Sequence, residues 1–143
     1  MLVPRKLKHR KICRGKMRGV TARGSVLSFG SFGIKSLGRA WVSARQIEAA
    51  RRAITHYIKR GGKVWIRVFP DIPVSSKPAE VPMGSGKGAI DHYVVRIQPG
   101  RIIFELDGVE QIVAKEAMRL AGTKLPIKTK FLVRHITGEK NED

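Results

Sequence analysis

One cysteine, Cys13, is all that 143 residues supply. A single thiol excludes an internal disulfide and a cysteine-based metal cluster, and it argues for a reducing compartment. Set between Ile12 and Arg14, it reads as an incidental small side chain rather than a reactive one. Acids are the second scarcity: 11 Asp and Glu stand against 29 Lys and Arg, a formal net charge of +18. Residues 1–47 hold 12 basic side chains and no acid, and the first carboxylate is Glu48. So few carboxylates make a general acid–base pair hard to assemble. His9, His56, His92 and His135 are far apart and lack zinc-ligand spacing. Asp91 and His92 are neighbours on a strand, which predicts opposite sides and no mutual contact. Ser43 and Ser85 have no histidine in a nucleophile motif. Catalysis therefore ranks below binding, and neither a metal nor a cofactor is expected. Long apolar runs are missing too: none approaches the roughly 18 residues that cross a bilayer. "MLVPRKLKHRK" has charge without an apolar stretch after it, unlike a secretory signal. A soluble protein with no membrane partner is expected.

Basic side chains are what the chain has in excess, and a surplus of this size points to a polyanion. An apolar fraction of 42% is enough for one packed core. The expected organisation is one domain over 1–143: a basic arm at 1–25, an α+β core at 26–135 and a polar, frayed tail at 136–143. Glycine and like charge in "RKLKHRKICRGKMRGVTARG" argue against an independently stable element and for an arm that orders on RNA. "SVLSFGSFGIKSLG" predicts a bent or bulged extended segment, with Phe29, Phe32, Ile34 and Leu37 in the core by default and base stacking as the alternative for the aromatics.

Ser43 and Gln46 have capping-box spacing, and Gly61-Gly62 supplies a stop, so a helix is expected between them. Ile47, Ala50, Ile54, Tyr57 and Ile58 form its buried stripe. Arg45, Arg52 and Lys59 recur on another face, with Arg51 and Arg60 nearby; solvation and phosphate contact are equally good accounts of it. "KVWIRVFPD" alternates as a strand, with Val64, Ile66 and Val68 on one side and Trp65, Arg67 and Phe69 on the other. Residues 71–88 read as a long connection. "DHYVVRI" and "RIIFEL" are strands joined by a turn at Gln98-Pro99-Gly100. Asp107 and Glu110 repeat the capping spacing and predict a second helix with Val109, Ile112, Val113, Ala117, Leu120 and Ala121 inward. "LPIKTKFLV" is a last strand. The fold class is α+β: two helices packed on one face of a mixed β-sheet, in one domain with no internal repeat.

"EVPMGSGKGAI" places Gly84, Gly86 and Gly88 around Lys87. A Walker loop needs glycine five residues before the Gly-Lys pair and a hydroxyl after it, but Val81 and Gly88 occupy those positions. The loop is no nucleotide-binding motif of that kind. Its bare backbone can still approach a phosphate, although on this stretch alone a mobile hairpin tip is the preferred reading over any binding role.

"MLVPRKLKHRK", "SFGSFGIKSLG", "ARQIEAARRAITHYIKRGGKVWIRVFPD", "KPAEVPMGSGKG" and "KLPIKTKF", in this order over residues 1 to about 135, resemble the family of bacterial-type large ribosomal subunit protein sixteen. The resemblance implies an α/β sandwich that serves as a structural part of the large subunit and is not an enzyme. It implies binding to 23S-type rRNA near the A-site tRNA elbow and the approach to the peptidyl transferase centre, beside other large-subunit proteins. The A-site tRNA is the implied second partner, with P-site tRNA a further candidate. A bacterial cytoplasmic ribosome is implied, an organellar one being the alternative. Arg5, Lys6, Lys8, Arg10, Lys11, Arg14, Lys16, Arg18, Arg23, Lys35, Arg39, Arg45, Arg51, Arg52, Lys59 and Arg60 are the expected rRNA-binding residues. Lys77, Met83, Gly84, Ser85, Gly86, Lys87 and Gly88 form the expected loop beside tRNA. Two positions depart from the family: Pro82 and Ser85 stand where it usually carries Arg and Lys, which leaves two fewer cations at the tip. "GEKNED" also runs past the family's usual end. Outside the family, two readings compete: an RNA- or nucleotide-processing enzyme using the glycine loop, and a DNA-coating protein using the arm.

Overall fold

A computed structural model describes residues 1–135; the tail expected at 136–143 lies outside them. Its elements run β1 (Phe32–Ser36), β2 (Ala40–Ser43), α1 (Ala44–Tyr57), β3 (Lys63–Ile66), β4 (Ile72–Ser76), β5 (Ala89–Ile97), β6 (Ile102–Asp107), α2 (Gln111–Gly122) and β7 (Thr129–Val133). The α+β class holds, but the single mixed sheet does not. Two antiparallel sheets form instead, ordered β3-β6-β1-β7 and β2-β5-β4. The reason is topological. Helix α2 joins β6 to β7, a connection that suits parallel neighbours, yet β1 lies between those strands and pairs antiparallel with each. Helix α1 leads from one sheet to the other, so it closes no parallel pair.

Helix α1 starts where its capping box predicts. The Gln46 N–H donates to the Ser43 hydroxyl at 3.3 Å, and the Ser43 N–H donates to the Gln46 side chain at 2.9 Å. Ile47, Ala50 and Ile54 are buried, whereas Tyr57, expected in the stripe, is 41% exposed. Helix α2 departs further from expectation. Asp107 ends β6, where its carboxylate accepts from the Ser31 hydroxyl and the Gly108 N–H, so the helix starts only at Gln111. Glu110 is its N-cap residue and makes no side-chain capping bond. The buried face carries Ala114, Ala117, Met118 and Ala121, while Ile112 is 82% exposed. Small side chains let α2 lie close against α1, so alanine rather than the larger apolar residues marks the inner face.

Strand β4 falls inside the stretch expected as a connection. Pro73 suppressed that reading, but β4 is an edge strand, where a missing N–H costs no ladder bond. The turn at 98–101 is as expected: Pro99 and Gly100, with φ +93°, occupy the centre, and the Arg101 N–H donates to the Gln98 carbonyl. A bulge predicted for the β1 region is present in the β1–β6 pairing, where Ile34 faces Phe104 and Lys35 faces Ile102. Ile103 is the extra residue, so Ile103 and Phe104 both enter the core cluster that Ile34, Ile47 and Ile54 also join. A second bulge in β4–β5 leaves Asp91 without a partner and turns it beside His92. The two side chains meet at 2.7 Å, contrary to the expectation that they point apart.

The far face of the four-stranded sheet is covered by the chain leading into β1. Leu27 lies against Gly33, where a Cβ would collide with it. Glu105, fully buried, accepts backbone hydrogen bonds from Ser28 (3.1 Å), Phe29 (2.6 Å) and Gly30 (2.7 Å) and an ion pair from Arg67. Gly30 is required there, since a Cβ would sit 2.7 Å from the Leu106 carbonyl oxygen.

Candidate nucleic-acid interface

Residues 1–25 form no helix or strand, and their Lys and Arg side chains are all exposed. Yet the segment lies against the domain along most of its length. Most of the bonds have core side chains donating to arm carbonyls, while Lys11 and Thr21 donate from the arm to the carbonyls of Lys87, Gln98 and Pro99. The Arg96 guanidinium reaches the carbonyls of Cys13 and Arg14. Gln98 donates to Arg18 at 2.7 Å, Arg39 to Gly19 at 2.9 Å and Arg101 to Arg23 at 3.3 Å. Backbone bonds from Thr21 to Pro99 (3.0 Å) and from Ile102 to Gly24 (2.8 Å) complete the attachment. Arg14 and Arg96 both approach the Trp41 ring, at 5.7 and 5.6 Å. The arm is therefore held by its backbone, which leaves its cations outside. Among the described residues none of them forms an ion pair.

Helix α1 contributes less free charge than its composition suggests. Glu48 accepts from Arg51 at 2.5 and 3.0 Å and from Arg52 at 3.2 Å. The Arg51 hydrogen bond above all, then Arg52, overcomes the upward push of burial and holds the Glu48 carboxyl at about 2. Arg45 is exposed, as are Lys59 and Arg60 just past the helix, whose φ angles of 54° and 62° are unusual for side-chain-bearing residues. Cations there also meet the negative end of the helix dipole. Arg39 is exposed before β2, while Lys35 is only half-exposed in β1.

The glycine loop, residues 77–88, caps the β4–β5 hairpin. Gly84, Ser85 and Gly86 have φ of 117°, 61° and 92°, three consecutive positive values that only glycine takes without strain. Met83 is 98% exposed. The Lys77 ammonium donates to the Gly84 carbonyl and closes the loop on itself. Lys87 does not point outward alone. Its ammonium donates to the Ile12 carbonyl at 2.6 Å, and Lys11 donates to the Lys87 carbonyl at 3.0 Å. Arm and loop, whose contacting residues lie 75 and 76 positions apart, thus meet in one basic surface. Gly88 is fixed by crowding, because a Cβ there would lie 2.8 Å from the Ser76 carbonyl oxygen.

The sequence reading did not select Arg96 and Arg101, which hold the arm, or Lys63 and Arg67, which flank exposed aromatic rings. For the last two a signal existed in the alternation of "KVWIRVF". A broad depression between α2 and β7 is mainly apolar, lined by Ile34, Leu37, Met118 and Phe131 among others. Its one acid, Glu116, is bound to Arg119 at 2.7 Å. Among the described residues no three His, Cys, Asp or Glu side chains are grouped as metal ligands, and no helix is long and apolar enough to cross a membrane. In comparison with known families, the model described as Ribosomal protein L16p/L10e matches residues 4–132.

Proposed function

The chain belongs to the Ribosomal protein L16p/L10e family, and on that premise we propose that its outward-facing cations bind large-subunit rRNA while its glycine loop meets tRNA. A family of structural, non-enzymatic proteins makes it an RNA-binding component of the large ribosomal subunit, a ribonucleoprotein engaged in translation. The finer reading is a division of labour. The arm cations from Arg5 to Arg23, with Arg39, Arg45, Lys59 and Arg60, contact 23S-type rRNA phosphates. The exposed loop from Lys77 to Gly88 lies beside A-site tRNA on a bacterial-type ribosome. One observation carries this: core donors bind several of the arm's carbonyls, so most of its cations, Lys11 excepted because it donates to the Lys87 carbonyl, remain available for phosphate.

Filter binding of the full chain to 23S-type rRNA tests the reading. If about 6–10 cations neutralise phosphates, affinity falls by roughly 10³–10⁵ between about 50 and 200 mM salt. A nearly flat plot of log K against log salt would mean that the surplus charge serves solubility alone. Equal affinity for duplex DNA in competition would favour a DNA-coating role instead.

A further inference from the structure

Lys63, Trp65, Arg67 and Phe69 alternate with the half-buried Val64 and Ile66 and the buried Val68 along β3 and its continuation, where the Arg67 N–H still pairs with the Ile103 carbonyl. Phe29 crosses this row from the segment that covers the sheet. Its ring stacks on Trp65 with centroids 6.1 Å apart and planes 19° from parallel. The Arg67 guanidinium stands 5.2 Å from the Phe29 ring, and the Lys63 ammonium 5.2 Å from the Trp65 ring. Phe29 was expected in the core, yet it is 55% exposed, and Phe69 is 45% exposed. This exposure is not looseness. The Phe29 N–H is bound to the buried Glu105 carboxylate, as are the N–H groups on either side of it. A rigid backbone holds an aromatic ring in water, between two cations.

We propose that the Phe29–Trp65 pair, flanked by Lys63 and Arg67, is a stacking site for one unpaired base of RNA. The proposal rests on the RNA-binding reading above and adds a second mode to it. The other candidate residues read phosphates, whereas these rings need an exposed base face, which an A-form duplex hides. Stacking of this kind tolerates any base, and the exposed Lys63 ammonium suits a neighbouring phosphate, while Arg67 is held beside the Phe29 ring by its ion pair with Glu105. The β3 edge could also receive a strand from another protein. Charge favours RNA: beside the rings, Lys63 is exposed and Arg67 offsets the fully buried Glu105, so the surface suits a polyanion better than an apolar strand.

The chain has two tryptophans, Trp41 and Trp65, so a full-length Trp41→Phe reference protein reports on Trp65 alone. The probes are an A-rich single-stranded RNA octamer and a blunt RNA duplex with the same number of phosphates, compared at equal occupancy by anisotropy. The expected result is quenching of Trp65 by the single strand and not by the duplex. Phe29→Leu should weaken single-strand binding roughly tenfold and leave duplex binding unchanged, and Phe29→Tyr should restore it. Equal quenching by both probes, or equal losses on both in Phe29→Leu, overturns the proposal. So does a Trp65 signal that changes only when neighbouring ribosomal proteins join the subunit, which would make the patch a protein interface. Intact, salt-sensitive RNA binding with a silent Trp65 removes the stacking site alone. Failure of the unsubstituted full chain to bind either RNA removes the RNA-binding reading with it.

Discussion

Glu105 is a carboxylate with no exposed surface in a protein of net charge +18. Burial pushes its pKa up, but the backbone N–H groups of Gly30, Ser28 and Phe29 and the Arg67 guanidinium together push harder, and the net shift is downward. A carboxylate so surrounded is stable as an anion and costly to remove, because its donors would be left buried without an acceptor. The consequence for pH follows from the direction. In the unfolded chain the group titrates near its ordinary 4.5, and in the folded protein it titrates lower. Its contribution is therefore complete above the ordinary value and is lost as pH falls through the folded one. Urea unfolding should show stability declining below about pH 5. Glu105→Gln should cost about 3–5 kcal/mol near neutrality and flatten that decline. Glu48 remains in the variant with its own lowered pKa, so the slope that disappears belongs to Glu105. A variant as stable as its parent at neutral pH would mean that the three N–H groups do not depend on this acid.

Local chemistry explains which elements were legible. Helix α1 could be read because the Ser43–Gln46 box and the spacing of Ile47, Ala50 and Ile54 act within a few residues. Strand β4 was hidden, because an edge position forgives Pro73 and only tertiary placement makes it an edge. Asp107 mimicked a helix cap, but a hydroxyl from Ser31, far away in sequence, uses its carboxylate. The interface divides in the same way: charge was visible in composition, whereas the arm–loop contact of Lys11, Ile12 and Lys87 joins distant segments. That contact changes what the loop is expected to do. Lys87 is tied to the arm, so the proposed role at tRNA would be exerted through a loop the arm steadies, with Pro82 and Ser85 where the resemblance implies cations. On reassembled subunits Lys87→Ala should lower A-site tRNA occupancy at fixed magnesium and leave incorporation intact, and Pro82→Arg with Ser85→Lys should raise it. If Lys87→Ala blocked incorporation while the few subunits formed bound tRNA normally, the loop would be an rRNA anchor.

At the scale of the molecule, the first thirty residues divide by the kind of attachment. Residues 11–19 are held by side-chain bonds at the surface, and residues 21–30 by backbone bonds and the Glu105 pocket. Residues 1–19 bring exposed cations and little apolar packing beyond Leu2, which is partly buried against the core. Residues 21–30 bring the backbone bonds to Pro99 and Ile102 and the three N–H groups around Glu105. The functional boundary between arm and domain therefore falls near residue 20, a little before the one suggested by composition. Two truncations should behave differently. Removal of residues 1–19 takes away Arg5, Lys6, Lys8, Arg10, Lys11, Arg14, Lys16 and Arg18 but leaves the Glu105 pocket closed. Circular dichroism should show a folded protein whose thermal midpoint is little changed. Its rRNA affinity should drop, and the slope of log K against log salt should shrink by about 0.7–0.9 for each phosphate no longer neutralised. Removal of residues 1–30 opens that pocket, strands a buried carboxylate beside Arg67 and uncovers one face of the four-stranded sheet, so this protein should not fold cooperatively. Unfolding already on loss of residues 1–19 would show that the arm is part of the core. A shorter chain that folds and keeps the full salt slope would move the RNA-binding cations onto α1 and the loop.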